Sequence, residues 1–493
     1  MTTTERRDER IVRPELAELP APLADFDRGF DPDPEEVGGG KHGMVAALAN
    51  RPFRFLWLAE LLTQTAQNAL WYTALVLVER ATQSTTLLSV TVISAILPAA
   101  LLGMPAGILV DRWPKKPTLV ACNLLRAAAV LAYLLHGQSL LWVFAANFAI
   151  NAVAQFFYPA ELASIPHFLP KRQLTVAMGL FNLTWTVAQF LGLILLGPTL
   201  LKGLGSEGGP IAIVAGSAGV YALSALLMAL LPHDTADDEE RAARAAQGGA
   251  RGAGALRSLW HDLHEGLVCI HHNVPARLAI LYLALTTTLL LVIATLAPRF
   301  AVQELRIRAE DAIFLIAPAG LAMAAASSVA HRLARRFRRE LLVQRGLLLM
   351  IGALLALALV GPVQQWAVAH GLVREVDLRD AWHLILSRVG VTMGLAAIIG
   401  WQVGLVLVPA QAIVAEWAPE DLRGRIFAIQ LTITNLASIF PLLLLGGLAD
   451  LLGLPAVIAL LALGILGLWL LTLRNADVLT LHPSGPQGPC GGS

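Results

Sequence analysis

Glu60 is the only acid placed well inside a long apolar stretch of this chain, and the residues after it keep helical spacing. In "AELLTQTAQNALWYT", Glu60, Gln64, Gln67 with Asn68, and Trp71 recur at i, i+4, i+7/8 and i+11, which is one face of a helix. A second stretch spaces Asn147, Asn151, Gln155 and Tyr158 in the same way, and a third spaces Asn182, Trp185 and Gln189. Amides, indoles and one carboxyl suit recognition and proton exchange. Polar groups in hydrocarbon are costly, so they face a bundle interior, a partner or water. For any single Asn or Gln, hydrogen bonding that only packs helices (about 0.6 kcal/mol per bond) explains the residue equally well. The three stripes together favour a central substrate cavity. Glu60 lies roughly 10 Å into its helix at about 1.5 Å per residue, which makes it the candidate for proton coupling. The rival is an ion pair with a base. Arg126 and Arg388 are the bases inside apolar stretches, while Glu161 and Asp450 read as solvated helix ends.

A second cluster is "GILVDRWPKKP". Gly103, Gly107 and Asp111 are spaced i, i+4, i+8 and share a helix face, with Arg112, Lys115 and Lys116 following. Small residues let another helix approach, and an acid at the end of the stripe can meet that helix's N-terminus. The plain alternative is a positively charged membrane anchor. Other chemistry does not emerge. His261, His264, His271 and His272 match neither H-E-x-x-H nor H-x-x-E-H, and an interfacial helix explains them better. The chain shows no phosphate loop and no nucleophile elbow, so we expect no enzyme, no metal and no cofactor.

The elements that position these residues must be membrane helices. The 493 residues are 56% hydrophobic and 14% charged, with mean hydropathy +0.65, whereas a soluble domain is about 25% charged. A net charge of +1 gives nucleic acid no support as a partner. Twelve segments of bilayer length follow one another: 53–78, 87–110, 118–136, 139–160, 174–200, 210–231, 277–298, 310–331, 341–361, 383–408, 425–449 and 454–473. Backbone groups in lipid must pair within the segment, so each is a helix. The fold expected is an all-α polytopic membrane protein of two pseudo-symmetric six-helix halves. Residues 1–45 read as a disordered tail, 46–231 and 266–475 as the halves, 232–265 as a linker with an amphipathic helix, and 476–493 as a second tail. Of the 36 Lys and Arg, 22 fall on the side of the termini and seven on the other, so both termini are expected in the cytoplasm. The halves repeat: "PAELASIPHFLPKRQL" begins at Pro159 and "PAQAIVAEWAPEDLRGR" at Pro409. Such repeats mark transporters.

Gly107-x-x-x-Asp111-Arg112-x-x-Lys115-Lys116 resembles the signature loop of the major facilitator superfamily, with Pro114 where glycine is usual. "NRPFRFLWLAELLTQ" and "QFFYPAELASIPHFLP" are similar to its drug and siderophore exporters, the branch of the enterobactin exporter. The resemblance implies a gate latch. Asp111 would hold the start of helix 11, near Arg425, and lock the cytoplasmic side when the protein opens outward. It also implies a secondary-active exporter of the inner or plasma membrane, working by alternating access on amphipathic small molecules. Membrane lipid and protons are its other expected partners. A lipid or lysolipid flippase of the same fold and a non-transporting sensor are the alternatives. Antiporters of the family carry G-x-x-x-G-P-x-x-G-G in helix 5. Here Gly197-Pro198 fits, Gly192 stands one position out, and the closing glycines are absent.

Overall fold

A computed structural model describes residues 41–135, 139–232, 268, 270, 273–336, 339–370, 388–417 and 423–473. Twelve long rods follow a nine-residue helix, Lys41–Ala49, and no strand occurs among the described residues. The rods are α1 Arg51–Thr82, α2 Thr85–Arg112, α3 Lys115–Leu135, α4 Leu140–Phe168, then α5, followed by α6 Gly205–Ala229. The second six are α7 Val274–Gln303, α8 Ile313–Arg336, α9 Arg339–Ala369, α10 Arg388–Trp417, α11 Arg423–Leu452 and α12 Leu454–Leu473. The rod α5 is composite. It is α-helical over Lys171–Gln189, π-helical over Phe190–Leu196 and α-helical again over Gly197–Gly203. Among the described residues each of the twelve apolar segments falls mainly on one rod; residues 383–387 of the tenth lie outside them. Ten rods are long and apolar enough to cross a bilayer. The other two are α1, which carries the polar stripe, and α12, whose apolar run Leu454–Leu470 is shorter.

Local chemistry sets the ends. The side chains of Asn50, Ser84 and Asn273 cap the first turns of α1, α2 and α7 by accepting from Phe53 N, Leu87 N and Ala276 N. Prolines sit inside α2, α4 and α6 through α11, where neighbouring helices re-satisfy the freed backbone. Residues 41–45 belong to the short leading helix and not to a tail. The linker expected over 232–265 lies outside the described residues apart from residue 232.

The repeat is visible in the packing. The pairs α2–α4, α3–α4 and α3–α6 recur as α8–α10, α9–α10 and α9–α12. The halves meet chiefly where α2 crosses α11. The links between them gather at the end bearing the α1–α2, α7–α8 and α11–α12 turns, called here the outer end after the charge count. Glu79 of α1 pairs with Arg299 of α7 at 3.3 Å, and Arg80 pairs with Glu310 at 2.9 Å. Lys202 pairs with Asp311, and the Tyr72 hydroxyl donates to the Glu310 carbonyl at 2.7 Å. The hydrophobic core of the second half takes in Leu75, Val78, Leu88 and Val92 from α1 and α2, with Trp71 packed against it.

Candidate functional site

The three stripes meet. Glu60 is 1% exposed, and its Oε1 accepts from Gln64 Nε2 at 2.9 Å and from Trp185 Nε1 at 3.1 Å, so one carboxylate oxygen joins α1 to α5. Gln67 Nε2 donates to Asn151 Oδ1 at 3.1 Å and joins α1 to α4. Asn151 Nδ2 donates to the Asn147 carbonyl at 2.8 Å. Asn147 Nδ2 donates to the Thr91 carbonyl at 2.8 Å and to Ser94 Oγ at 2.9 Å, both on α2. Gln155 Nε2 reaches the Asn151 carbonyl at 3.2 Å, and Asn68 Nδ2 the Gln64 carbonyl at 2.8 Å. Tyr158 meets the Trp185 ring edge-on at 5.9 Å between centroids. Asn182 and Gln189 share the Trp185 face and are exposed, as half of Trp185 is. The stripes therefore grade from buried packing bonds at Asn147 to an open polar face on α5.

Glu161, read from sequence as peripheral, and Arg126, read as a base inside an apolar stretch, belong to this centre. Glu161 is no solvated helix end. It is 1% exposed, and its carboxyl group faces that of Glu60 within hydrogen-bonding reach. Arg126 of α3 is also 1% exposed and supplies the positive charge felt by both acids. Its guanidinium lies 4.6 Å from the ring centre of Phe157 and 5.7 Å from those of Tyr158 and Tyr221. Cation–π contact of this kind replaces part of the lost hydration. Oε2 of Glu60, Oε1 of Glu161 and Nε and Nη2 of Arg126 have no hydrogen-bond partner. Two carboxyl groups and one guanidinium thus share a single buried centre between α1, α3 and α4. Sequence reasoning missed Glu161 because it stands two residues past Pro159, where an apolar run ends. The helix continues through the proline to Phe168. The signal available was spacing: Glu161 follows Tyr158 at i+3.

The departure at Gly192 has a structural resolution. The π-helical stretch bonds Gly197 N to the Gly192 carbonyl, five residues back. A π turn absorbs one extra residue, so Gly192 and Gly197 return to one face. Both face α1. A Cβ at Gly192 would strike the Thr65 carbonyl and stand 2.7 Å from Asn68 Cβ, and one at Gly197 would stand 2.8 Å from Tyr72 Cδ1.

The charged cluster after α2 divides. Lys115 Nζ donates to the Val110 carbonyl at 2.8 Å and Lys116 Nζ to the Leu231 carbonyl at 2.6 Å, closing the ends of α2 and α6. A Cβ at Gly103 would touch Gln155 Oε1 at 3.5 Å, and one at Gly107 would meet nothing within 4 Å. The side chains of Asp111, Arg112 and Arg425 lie outside the described residues, as do His261, His264, His271 and His272. Arg388 caps α7, donating to the Glu304 carbonyl at 3.1 Å.

The family model of the Major Facilitator Superfamily matches residues 56–373. The chain belongs to the major facilitator superfamily. Its sequence is similar to two uncharacterized MFS-type transporters: YkuC of Bacillus subtilis (29% identical over 114 residues) and Rv0037c of Mycobacterium tuberculosis (32% over 116). Each alignment covers 23% of this chain, which spans about a quarter of the length of the curated relatives it matches (26%). The fold is similar to the nucleoside transporter NupG, with TM-score 0.60 and 11% identity over 86% of this chain and all of that one. It is similar also to a bacterial homolog of the human lysosomal transporter Spinster in an inward-facing, unoccupied conformation. There the TM-score is 0.58 at 15% identity, over 86% and 95% of the two chains. Membership and ten apolar helices of bilayer length make the chain a multi-pass membrane protein, and at these identities the solved structures speak for the fold alone.

Proposed function

We propose that this facilitator is a proton-coupled secondary-active transporter of the inner or plasma membrane. It exports amphipathic small molecules by alternating access, with both termini in the cytoplasm. The observation that carries the reading is the buried Glu60–Glu161 pair beside Arg126, joined through Trp185 to the open polar face of α5. A proton is the one ligand that a carboxyl pair of this burial can take up and release without a partner of its own size. The neutral lining of Gln64, Gln67, Asn68, Asn182 and Gln189, with Trp71, Tyr158 and Trp185, suits molecules carrying both apolar and hydrogen-bonding surface. The return of Gly192 and Gly197 to one face supports antiport and the drug-exporter branch, since glycine pairs occupy the corresponding places in antiporters that the chain resembles. The charge asymmetry supports a reading with the linked end outside and the polar face of α5 toward the cytoplasm. Asp111 with Gly103 and Gly107 would then close the cytoplasmic side against the start of α11.

The test uses proteoliposomes with an imposed pH gradient and a panel of amphipathic fluorescent substrates. Glu60→Gln and Glu161→Gln should each abolish gradient-driven transport while retaining substrate binding, because a glutamine mimics the protonated state and cannot release. Gradient-driven transport that survives both substitutions removes the pair from the mechanism. Binding with no transport by the unaltered protein would favour the sensor.

A further inference from the structure

The spacing G-x-x-x-D occurs twice at the end of a helix. Gly107 and Asp111 close α2, and Gly446 and Asp450 close α11. Asp450 reads from sequence as a solvated helix end; it is exposed near the end of α11, and the structure adds partners that spacing did not show. Its carboxylate accepts from Thr85 N at 2.7 Å, Thr86 N at 3.0 Å, Thr86 Oγ1 at 2.7 Å and Ser84 Oγ at 2.8 Å. The donors are the N-cap Ser84 and the first two residues of α2, where free N–H groups and the helix dipole favour an anion. One turn earlier on α11, Gly446 makes the approach possible. A Cβ there would strike Ser89 Oγ, and it would stand 3.1 Å from the Thr85 carbonyl.

The two helices are antiparallel, so the end of each lies at the same side of the bundle as the other's beginning. At the outer end the arrangement is made: Gly446 admits α2, and Asp450 seals its N-terminus. At the other end the same residue types stand on α2, and the space beside Gly107 is open. We infer that Gly446 and Asp450 form an outer latch reciprocal to Gly107 and Asp111, and that the two latches alternate. When the halves rock about the α2–α11 crossing, closing one end withdraws the acid from the other. The outer ion pairs of Glu79 with Arg299 and Arg80 with Glu310 flank the outer latch and open with it. The inference rests on alternating access as proposed above. It does not depend on which substrate moves or on protons.

The experiment measures distance and not transport. Spin labels at Gln83 and Leu451, both exposed at the outer end in opposite halves, report separation in a cysteine-depleted full chain. Unaltered protein should give a short distance. Asp450→Asn keeps the shape but loses the charge, and it should lower the ratio of closed to open outer end about five- to thirtyfold. Gly446→Val should open the same distance by wedging the helices, and Asp450→Glu should restore part of the closed population. Distance distributions unchanged in both Asp450→Asn and Gly446→Val, in monodisperse protein, overturn the latch. Opening in these variants, with no substrate moved by the unaltered protein, leaves the latch standing and removes the transport reading.

Discussion

A buried cation with aromatic walls and two acids is a residue-scale commitment. Replacing Arg126 by leucine leaves two carboxyl groups in the bundle without their positive charge. Breaking a buried charge cluster by removing one partner costs about 3–5 kcal/mol. Arg126→Leu should therefore lower the melting temperature of the purified protein sharply. Adding Glu60→Gln and Glu161→Gln should recover most of the loss, because neutral amides need no cation. A triple variant as unstable as Arg126→Leu alone would show that Arg126 acts by packing on Phe157, Tyr158 and Tyr221 and not by charge. A second residue lies outside the membrane segments. Glu304, at the end of α7, has its carboxyl pushed above the usual range by burial, an effect the Arg388 charge opposes. The folded state then holds its proton more tightly than the unfolded chain. Stability at this site is full at low pH and falls as pH rises through and just above the ordinary carboxylate range. Glu304→Gln should flatten that slope in a melting series across pH.

At the scale of elements, α5 carries a prediction of its own. Gly192 faces the α1 backbone closely enough that a methyl group must displace it. Gly192→Ala should cost about 1–3 kcal/mol by overpacking, seen as a lower midpoint of thermal unfolding. Gly107→Ala should be nearly neutral in the same assay, since open space lies beside it. A neutral Gly192→Ala would place α5 farther from α1 than described. The twelve rods were legible in the sequence because bilayer length and apolarity decide them with no help from distant contacts. The stripes on α1, α4 and α5 were legible for the same reason, as spacing along one helix. The partners were not. Glu161, Arg126 and Asp450 acquire their roles across helices, from α1, α4 and α2 respectively, and no periodicity within one segment encodes a neighbour. The π-helical turn was hidden too. It showed in the sequence only as a glycine one place out of step, which reads as a departure until five-residue bonding is seen.

For the whole molecule, the outer end is bound by ion pairs, a helix cap and the apolar contacts of Trp71, Leu75 and Leu88. A bulky residue at Gly107 should leave that arrangement intact and obstruct the opposite one. Gly107→Val is therefore expected to fold normally and to hold the outer labels at short distance even when substrate is added. Gly446→Val should do the reverse. Outer labels that separate in Gly107→Val would mean that the two ends are not coupled through the α2–α11 crossing.

The two G-x-x-x-D ends also bear on descent. The six-helix repeat relates α2 to α8 and α5 to α11, and the three-helix repeats nested within each half of this fold also relate α2 to α11. Residue 331, where the copy of the α2 acid belongs, is histidine. The spacing at 107–111 therefore recurs at the end of α11 and not at the end of α8. Across related chains, Asp450 should covary with Ser84, Thr85 and Thr86 and drift independently of Asp111.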